Sequence, residues 1–203
     1  MSRYIITHSL LSAWLYAMKG NPYEDLTTEK DSFQDFLKVL NREPTQTTEA
    51  MQNGIDFEDL VTAILSGAGD PEHRWYSAAK KVAAYIKGGV LQFNAYRLLE
   101  VDGTEILLHG RLDALAGGKV WDIKFSKTYD RGKYLESTQH PVYLKLIPEA
   151  KEFTYIISDG NTVWTETYRR DETGDVCQTI SEFLAWLRTM ALLDLFKEKW
   201  VAR

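Results

Sequence analysis

The apolar residues of this 203-residue chain change their spacing at Gly88-Gly89, and this change limits the chain to a fold that mixes helices with a sheet. Before that point they recur at helical intervals, with interruptions near residues 41–44 and 66–69. After it they alternate with polar residues, which is the period of a strand with one buried face. The pattern therefore predicts an α/β (α+β) fold in which a mixed central sheet is flanked by helices and preceded by a helical extension.

The same periodicities place the individual elements. The predicted helices cover residues 8–18, 28–40, 47–66, 72–87, a segment after Thr138 within 133–147, and about 174–199. The predicted strands cover 90–101, 104–116, 119–125, 152–158 and 162–170, with turns at Asp102-Gly103 and Gly117-Gly118. We expect one domain over 1–203, made of a mainly helical part (1–88), a sheet core (89–170) and a C-terminal helix (171–203).

Composition excludes several classes of protein. The chain is 44% hydrophobic and 12% aromatic, which is typical of a folded globular domain, and it has no apolar run long enough to span a membrane. A single cysteine, Cys177, excludes a disulfide framework, a thiolate zinc site and a cysteine-bound iron–sulfur cluster. The net charge of −5 excludes a general basic coat, although residues 119–145 hold six basic and three acidic side chains. These features favour a cytoplasmic protein.

One acidic residue falls on an apolar helix face. In the third predicted helix, Met51, Ile55, Val61 and Leu65 mark one face, and Glu58 falls in the middle of it. A carboxylate directed toward a core needs a cation or several donors to replace its lost hydration. The alternative is that Glu58 lies at the edge of the face and pairs with a nearby lysine.

Two further acids lie on neighbouring predicted strands. Asp113 shares a face of its strand with His109 and Arg111, and Asp122 shares a face with Lys124. If the strands pair across Gly117-Gly118, Asp113 and Asp122 come close together. Two such carboxylates repel unless a cation lies between them, and hard oxygen ligands suit Mg²⁺ or Mn²⁺. The alternative is a solvated sheet face with an ordinary Asp–Lys ion pair.

These motifs, in this order, resemble those of the PD-(D/E)XK nuclease superfamily and are most similar to its RecB-like exonuclease branch. The run GRLD (110–113) followed by WDIKF (121–125) is similar to the acid–acid–lysine motif of that superfamily. The branch also has a helical glycine with a metal-binding side chain four residues later, a Gln-x-x-x-Tyr motif on the helix after the lysine strand, and a distinctive N-terminal helix. The matching segments here are Gly54 with Glu58, Gln139 with Tyr143 in QHPVY, and SLLSAW (9–14).

Two departures from the branch are visible. Many relatives place histidine at the helical metal position, where this chain has Glu58, although other members of the superfamily use an acid there. The four cysteines of the iron–sulfur members are absent, because Cys177 is alone. The resemblance therefore implies a nuclease without an iron–sulfur cluster.

The resemblance implies a restriction-endonuclease-like core and hydrolysis of DNA phosphodiesters that depends on Mg²⁺ or Mn²⁺. Glu58, Asp113 and Asp122, with the backbone carbonyl of Ile123, are the implied metal ligands. Lys124 is the implied residue that positions the attacking water and stabilises the pentacovalent state.

Five more residues have implied supporting or DNA-contacting roles. By resemblance, Gln139 and Tyr143 support the lysine or contact the scissile strand; the alternative is a polar pair that caps the core. Arg111, Lys127 and Arg131 are candidate phosphate contacts, with solvated surface charges as the alternative.

The favoured function is that of an exonuclease in phage metabolism or in DNA repair and recombination. By analogy, a long helical part before the sheet covers one end of a cleft and threads a strand. The alternatives are a structure-selective endonuclease and a catalytically silent DNA-binding or assembly module on the same fold. DNA is the expected partner, with a recombination or replication protein as a second candidate. The sequence has no G-x-x-x-x-G-K-[ST] motif, so we expect no nucleotide cofactor; a phage-encoded protein would act in the host cytoplasm.

Overall fold

The computed structural model describes residues 2–19 and 32–202, so the predicted helix start at 28–31 lies outside the described residues. The helices are α1 (His8–Lys19), α2 (Ser32–Leu40), α3 (Glu49–Leu65), α4 (Tyr76–Ile86), α5 (Gln139–Leu146), α6 (Val176–Thr189) and α7 (Leu193–Lys199), with a 3₁₀ turn at Arg170–Glu172. The strands are β1 (Tyr4–Thr7), β2 (Val90–Val101), β3 (Thr104–Ala116), β4 (Lys119–Phe125), β5 (Glu152–Ser158) and β6 (Val163–Arg169).

The six strands form one mixed sheet. Five of them follow the order β1-β3-β4-β5-β6, and β2 is a further partner of β3. β1 runs parallel to β3 and β4 runs parallel to β5, whereas the remaining pairs are antiparallel. The predicted mixed sheet with flanking helices is therefore confirmed. β1 was not predicted, because four residues directly before a helix are too short to show an alternating pattern. None of the helices in the described ranges has the length and apolar character needed to cross a bilayer.

Two glycine-containing turns fix the register of the central strands. Asp102 and Gly103 have φ values of 50° and 71°, and Gly117 and Gly118 have values of 60° and 72°. Such left-handed pairs match the twist of a two-residue hairpin. The second turn places Ala114 opposite Trp121, as the predicted hairpin requires.

The sheet separates two apolar clusters. The first lies beneath α1, α2, α5, α6 and α7 and contains Val120 of β4, whereas the second lies beneath α3 and α4 and contains Ile123 of the same strand. β4 therefore alternates between the two layers, and Asp122 and Lys124 belong to the side of Val120.

The C-terminal helix prediction is wrong in one respect. The expected single helix over 174–199 is two helices, because Ala191 adopts φ 55° and the chain reverses there. The N–H of Leu192 donates to the carbonyl of Leu187 across the break, a bond typical of a helix C-terminus. The reversal brings Phe196 into the core against Phe183.

The apolar face predicted for the third helix is also wrong in part. Met51 and Ile55 are each 47% exposed, and the buried face is formed by Phe57, Leu60 and Val61. Glu58 is next to this buried face and is half-buried. The two faces lie a fraction of a turn apart, so the apolar periodicity was compatible with both.

Candidate active site

The candidate site lies where β3 and β4 separate. Their ladder ends at the pair Ala114 and Trp121. Beyond that pair, Asp113 Oδ2 accepts a hydrogen bond from the backbone N–H of Ile123 at 2.8 Å. A side-chain carboxylate thus takes the place of a strand carbonyl, and this opens the sheet at its acidic residues.

The faces of β3 exchange at Asp113. Leu112 packs in the first apolar cluster and Ala114 in the second, although the ordinary alternation would put both on one face. On the neighbouring strand, Gln92 has φ 51°, and the residues on either side of it pair with Leu112 and Ala114. This local distortion turns β3 over at the position of its acid.

Asp122 is the most buried acid of the site, at 2% exposure. Its Oδ1 accepts a hydrogen bond from Gln139 Nε2, and its Oδ2 lies 2.8 Å from Lys124 Nζ in an ion pair. The Lys124 ammonium is therefore the charge partner of Oδ2, so each oxygen of this buried carboxylate lies against a donor from a neighbouring side chain.

Helix α5 holds Gln139 and Tyr143 over the site because Gly110 has no side chain. A Cβ atom at Gly110 would stand 2.5 Å from Cε1 of Tyr143 and 2.8 Å from Cδ1 of Leu146, so a larger residue there would displace these side chains of α5. The Tyr143 hydroxyl donates to the backbone carbonyl of Arg111 at 2.8 Å. The GRLD glycine therefore has a packing role, and Tyr143 secures the strand that carries Asp113.

Burial and mutual repulsion disfavour the charged forms of these acids. Burial, then the charges of Asp122 and Glu58, raise the pKa of Asp113 to about 8. Burial, then Asp122, raise the pKa of Glu58 to about 7. Burial also raises the pKa of Asp122, against the opposing effects of Lys124 and Gln139. Shifts of this kind, from desolvation and like charge together, are typical of functional sites.

Lys124 remains a cation in this setting. Burial lowers the pKa of its ammonium, but the neighbouring Asp122 and Asp113 raise it more, and the net result lies above the usual value. About a third of its side chain stays exposed, so the charge can meet a ligand from solvent. Lys124 is therefore suited to stabilise negative charge and unsuited to accept a proton.

The remaining predicted residues lie around this centre. Arg111 is exposed on β3, and its charge acts on Glu58. Lys127 and Arg131 are exposed in the segment between β4 and α5, and no contact between described residues joins them to the acids. The structure thus brings together Asp113, Asp122, Ile123, Lys124, Gln139 and Tyr143, with Glu58 and Arg111 near them and Lys127 and Arg131 farther along the chain.

Sequence reasoning missed His8 and did not place Tyr134. The His8 ring meets Tyr143 edge-on at 5.5 Å, and burial, then the charge of Lys124, lower the pKa of His8 to about 4. Tyr134 stacks on Tyr155 at 4.3 Å, and the Lys124 ammonium lies 5.9 Å from the Tyr155 ring centroid. The one sequence signal for His8 was its position immediately before the SLLSAW helix.

The chemistry of the acids fits a divalent cation. Within residues 2–19 and 32–202, no group of three or more His, Cys, Asp or Glu side chains is arranged to hold a metal ion as it stands. The donors are nevertheless hard oxygens, and burial, then the charges of neighbouring acids, raise the pKa values of Asp113 and Glu58. A cation of the Mg²⁺ type would stabilise the ionised forms of these acids.

Comparisons with known proteins show the fold. No known family's sequence profile matches the chain, and no curated protein matches it either. Among solved structures, the crystal structure of SSO0001 matches with a TM-score of 0.53 at 17% sequence identity. The match covers 93% of this chain and 76% of that chain, so the two proteins share their overall architecture.

Proposed function

We propose that this chain is a Mg²⁺- or Mn²⁺-dependent deoxyribonuclease that degrades DNA from its ends. The observation that carries the proposal is the buried Asp122, which is bonded to Gln139, ion-paired with Lys124 and adjacent to Asp113 at the point where β3 and β4 separate. The resemblance to RecB-like nucleases rests on these same residues.

Glu58, Asp113 and Asp122, with the Ile123 carbonyl, would hold the cation. When bound, it would supply a Lewis acid that lowers the pKa of a water and screens the phosphate charge. Burial, then the charge of Asp122, raise the pKa values of Glu58 and Asp113, so a cation would help these residues to ionise together at neutral pH.

Lys124 would stabilise the negative charge that develops on the phosphate. Its ammonium is already oriented by Asp122, so little rearrangement is needed during the reaction. Gln139 holds the other oxygen of Asp122 and thereby fixes the carboxylate that orients the lysine. Gln139 acts through Asp122 and is a positioning residue.

The helical part of the chain supports the exonuclease form of the proposal. α1 and α2 cover the first apolar cluster, on the side of the sheet that carries Asp122 and Lys124. The backbone carbonyl of His8 accepts a hydrogen bond from the Thr138 hydroxyl at 3.0 Å, which fastens the start of α1 to the start of α5. A site closed on one side in this way favours a free DNA end.

The test is digestion of end-labelled linear DNA beside closed circular DNA, with Mg²⁺, Mn²⁺ or EDTA. We expect loss of the linear DNA alone and only with metal, and the position of the label gives the polarity. Lys119→Ala is the matched control for Lys124→Ala, because Lys119 lies on the same strand and pairs with Glu152 at 2.6 Å. Cutting of the circle would show an endonuclease; Lys124→Ala with full activity would refute the proposed site.

A further inference from the structure

A second buried carboxylate lies on the same face of the sheet as the candidate site. Asp122 pairs in register with Tyr155, and Tyr155 pairs with Glu166 on β6. Side chains that are opposite one another on paired strands point to the same face. Because neighbouring strands lie about 4.8 Å apart, Glu166 is about 10 Å from Asp122 across the sheet.

Glu166 fastens the segment that follows β4. It is 9% exposed and accepts hydrogen bonds from the Tyr129 hydroxyl at 2.7 Å, the Gly132 N–H at 3.2 Å, the Tyr134 N–H at 3.4 Å and the Tyr168 hydroxyl. We call these residues the Glu166 cluster. Three of these donors belong to the segment and hold it in a fixed position, and together with Tyr168 they leave the carboxylate little capacity to bind anything else.

The fixed segment forms one wall of a groove. The groove has a volume of about 470 Å³ and is lined by Tyr129, Arg131, Gly132 and residues 164–168 of β6. We call it the aromatic groove. Tyr129 and Trp164 are both half-buried, and their rings are neighbours in the groove wall, with centroids 5.6 Å apart and planes 38° from parallel.

The groove is aligned with the catalytic lysine. Lys124 pairs with Ile157, and Ile157 pairs with Trp164, so Trp164 lies in the same row as Lys124 and on the same face. Two strand spacings separate them, which is about 10 Å. Along the chain, Tyr134 joins the two places, because its backbone bonds Glu166 while its ring stacks on Tyr155 next to Lys124.

The charges beside the groove suit a polyanion. Residues 127–133 contain three basic side chains and one acidic one, Asp130. Arg131 lines the groove and is exposed, and Lys127 is exposed nearby. Lys133 is engaged by Ser126 Oγ and the Thr128 carbonyl. Arg131 beside a pair of aromatic rings is a combination suited to a single strand, with a phosphate on the guanidinium and a base on the rings.

We propose that the aromatic groove binds single-stranded DNA by stacking a base on Trp164 and Tyr129, one or two nucleotides from the bond that is cut. The proposal rests on the proposed function and assigns it a single-stranded substrate path. Because every base has an aromatic face, this contact would be independent of sequence.

The experiment compares two labelled oligonucleotides of equal length, an oligothymidine and its fully abasic counterpart. Their affinities are measured in EDTA by fluorescence anisotropy, for the wild type, Trp164→Leu and Trp164→Phe. We expect Trp164→Leu to weaken oligothymidine binding about tenfold, the usual scale for one stacked base, and to leave the abasic strand almost unaffected. Trp164→Phe retains a ring, so it should keep most of the wild-type difference in affinity between the oligothymidine and the abasic strand.

One control variant isolates the effect. Tyr85→Leu removes a 48% exposed aromatic that contacts Trp121, on the opposite face of the sheet, and should not change either affinity.

Each outcome separates the groove from the catalytic proposal. An equal loss of affinity for both strands in Trp164→Leu, or no loss for either strand, would overturn the groove proposal. Wild-type cutting of linear DNA with Mg²⁺ is measured in parallel. If the wild type cuts DNA but Trp164 has no role in binding, the groove proposal alone is overturned. If binding depends on the bases but no cutting occurs, the nuclease proposal alone is overturned. If the protein neither binds nor cuts DNA, both proposals are overturned.

Discussion

Glu166 and the acids of the candidate site, Glu58, Asp113 and Asp122, differ in how their charge is compensated within the fold. Glu166 has four hydrogen-bond donors, and although burial raises its pKa, the bonds from Tyr129 and Tyr168 bring it below its usual value. Asp113 has a single backbone donor, and burial with two like charges raises its pKa to about 8. The fold thus supplies enough donors to compensate the charge of Glu166 but not that of Asp113.

The difference separates a structural acid from a functional one. A buried carboxylate that only holds a loop gains most when all its lone pairs are used. Acids that bind a cation must keep oxygens free and stay close to one another, at the expense of stability in the absence of the ion. Under the proposed function, Glu58, Asp113 and Asp122 would bind a cation, whereas the hydrogen bonds of the Glu166 cluster already compensate the charge of Glu166.

The largest expected effect is on catalysis. Lys124→Ala should lower the rate of Mg²⁺-dependent DNA degradation by at least 100-fold, because it removes an oriented charge that the reaction uses. The rate of release of end label under single-turnover conditions measures this effect. Glu166→Gln should retain more than a tenth of the wild-type rate, since its carboxylate does not touch the reacting groups. A Glu166→Gln rate as low as that of Lys124→Ala would remove the distinction between the two groups.

The next effect is on stability without metal. Glu166→Ala should lower the free energy of unfolding by about 3 kcal/mol, because two tyrosine hydroxyls and two backbone N–H groups lose their acceptor. Asp113→Asn should leave that free energy unchanged or raise it, because the amide oxygen can still accept the Ile123 N–H while the repulsion disappears. Urea denaturation in EDTA measures both. A loss in Asp113→Asn as large as that in Glu166→Ala would show that Asp113 is a structural acid.

Metal binding should then stabilise the wild type. A cation bound at 100 times its dissociation constant adds about 2.7 kcal/mol to the free energy of unfolding. We expect Mg²⁺ to raise the thermal midpoint of the wild type and of Glu166→Gln but to have little effect on Asp113→Asn or Asp122→Asn. Scanning calorimetry with and without Mg²⁺ provides the measurement. An equal rise in all four proteins would place the ion elsewhere.

Most of the sheet and the close approach of its acids could be predicted from the sequence. Asp102-Gly103 and Gly117-Gly118 are strong local signals for hairpins, and the second of them fixes the register that brings Asp113 beside Asp122. Tight turns of this kind depend on neighbouring residues only, so a single sequence contains the information.

Other features depended on distant contacts and had no local signal. The break at Ala191 lies within a continuous apolar pattern, and only the packing of Phe196 against Phe183 explains why the chain reverses there. The Glu166 cluster joins β6 to a segment more than 30 residues earlier. Periodicity describes one element at a time, so it could not indicate that this acid has four donors.

The last expected effect is a change of stability with pH in EDTA. The pKa values of Glu58 and Asp113 in the folded chain are about 7 and 8, above the ordinary values of 4.5 and 3.8. The folded protein therefore binds more protons than the unfolded chain between about pH 4 and pH 8, so its free energy of unfolding should fall as pH rises through this window, by at most about 1.4 kcal/mol per pH unit for each group. Glu166 acts in the opposite direction, because its pKa in the folded chain lies below the ordinary value. Its contribution to stability is present at pH values above its ordinary pKa and is lost only in acid.

Urea denaturation at pH 5, 6, 7 and 8 should show the decline in the wild type and in Glu166→Gln, and a smaller decline in Asp113→Asn. Saturating Mg²⁺ should flatten the wild-type curve, because the cation stabilises the ionised acids that the pH increase produces. A wild-type stability that rises over the same window would mean that these carboxylates are already compensated within the fold, as Glu166 is.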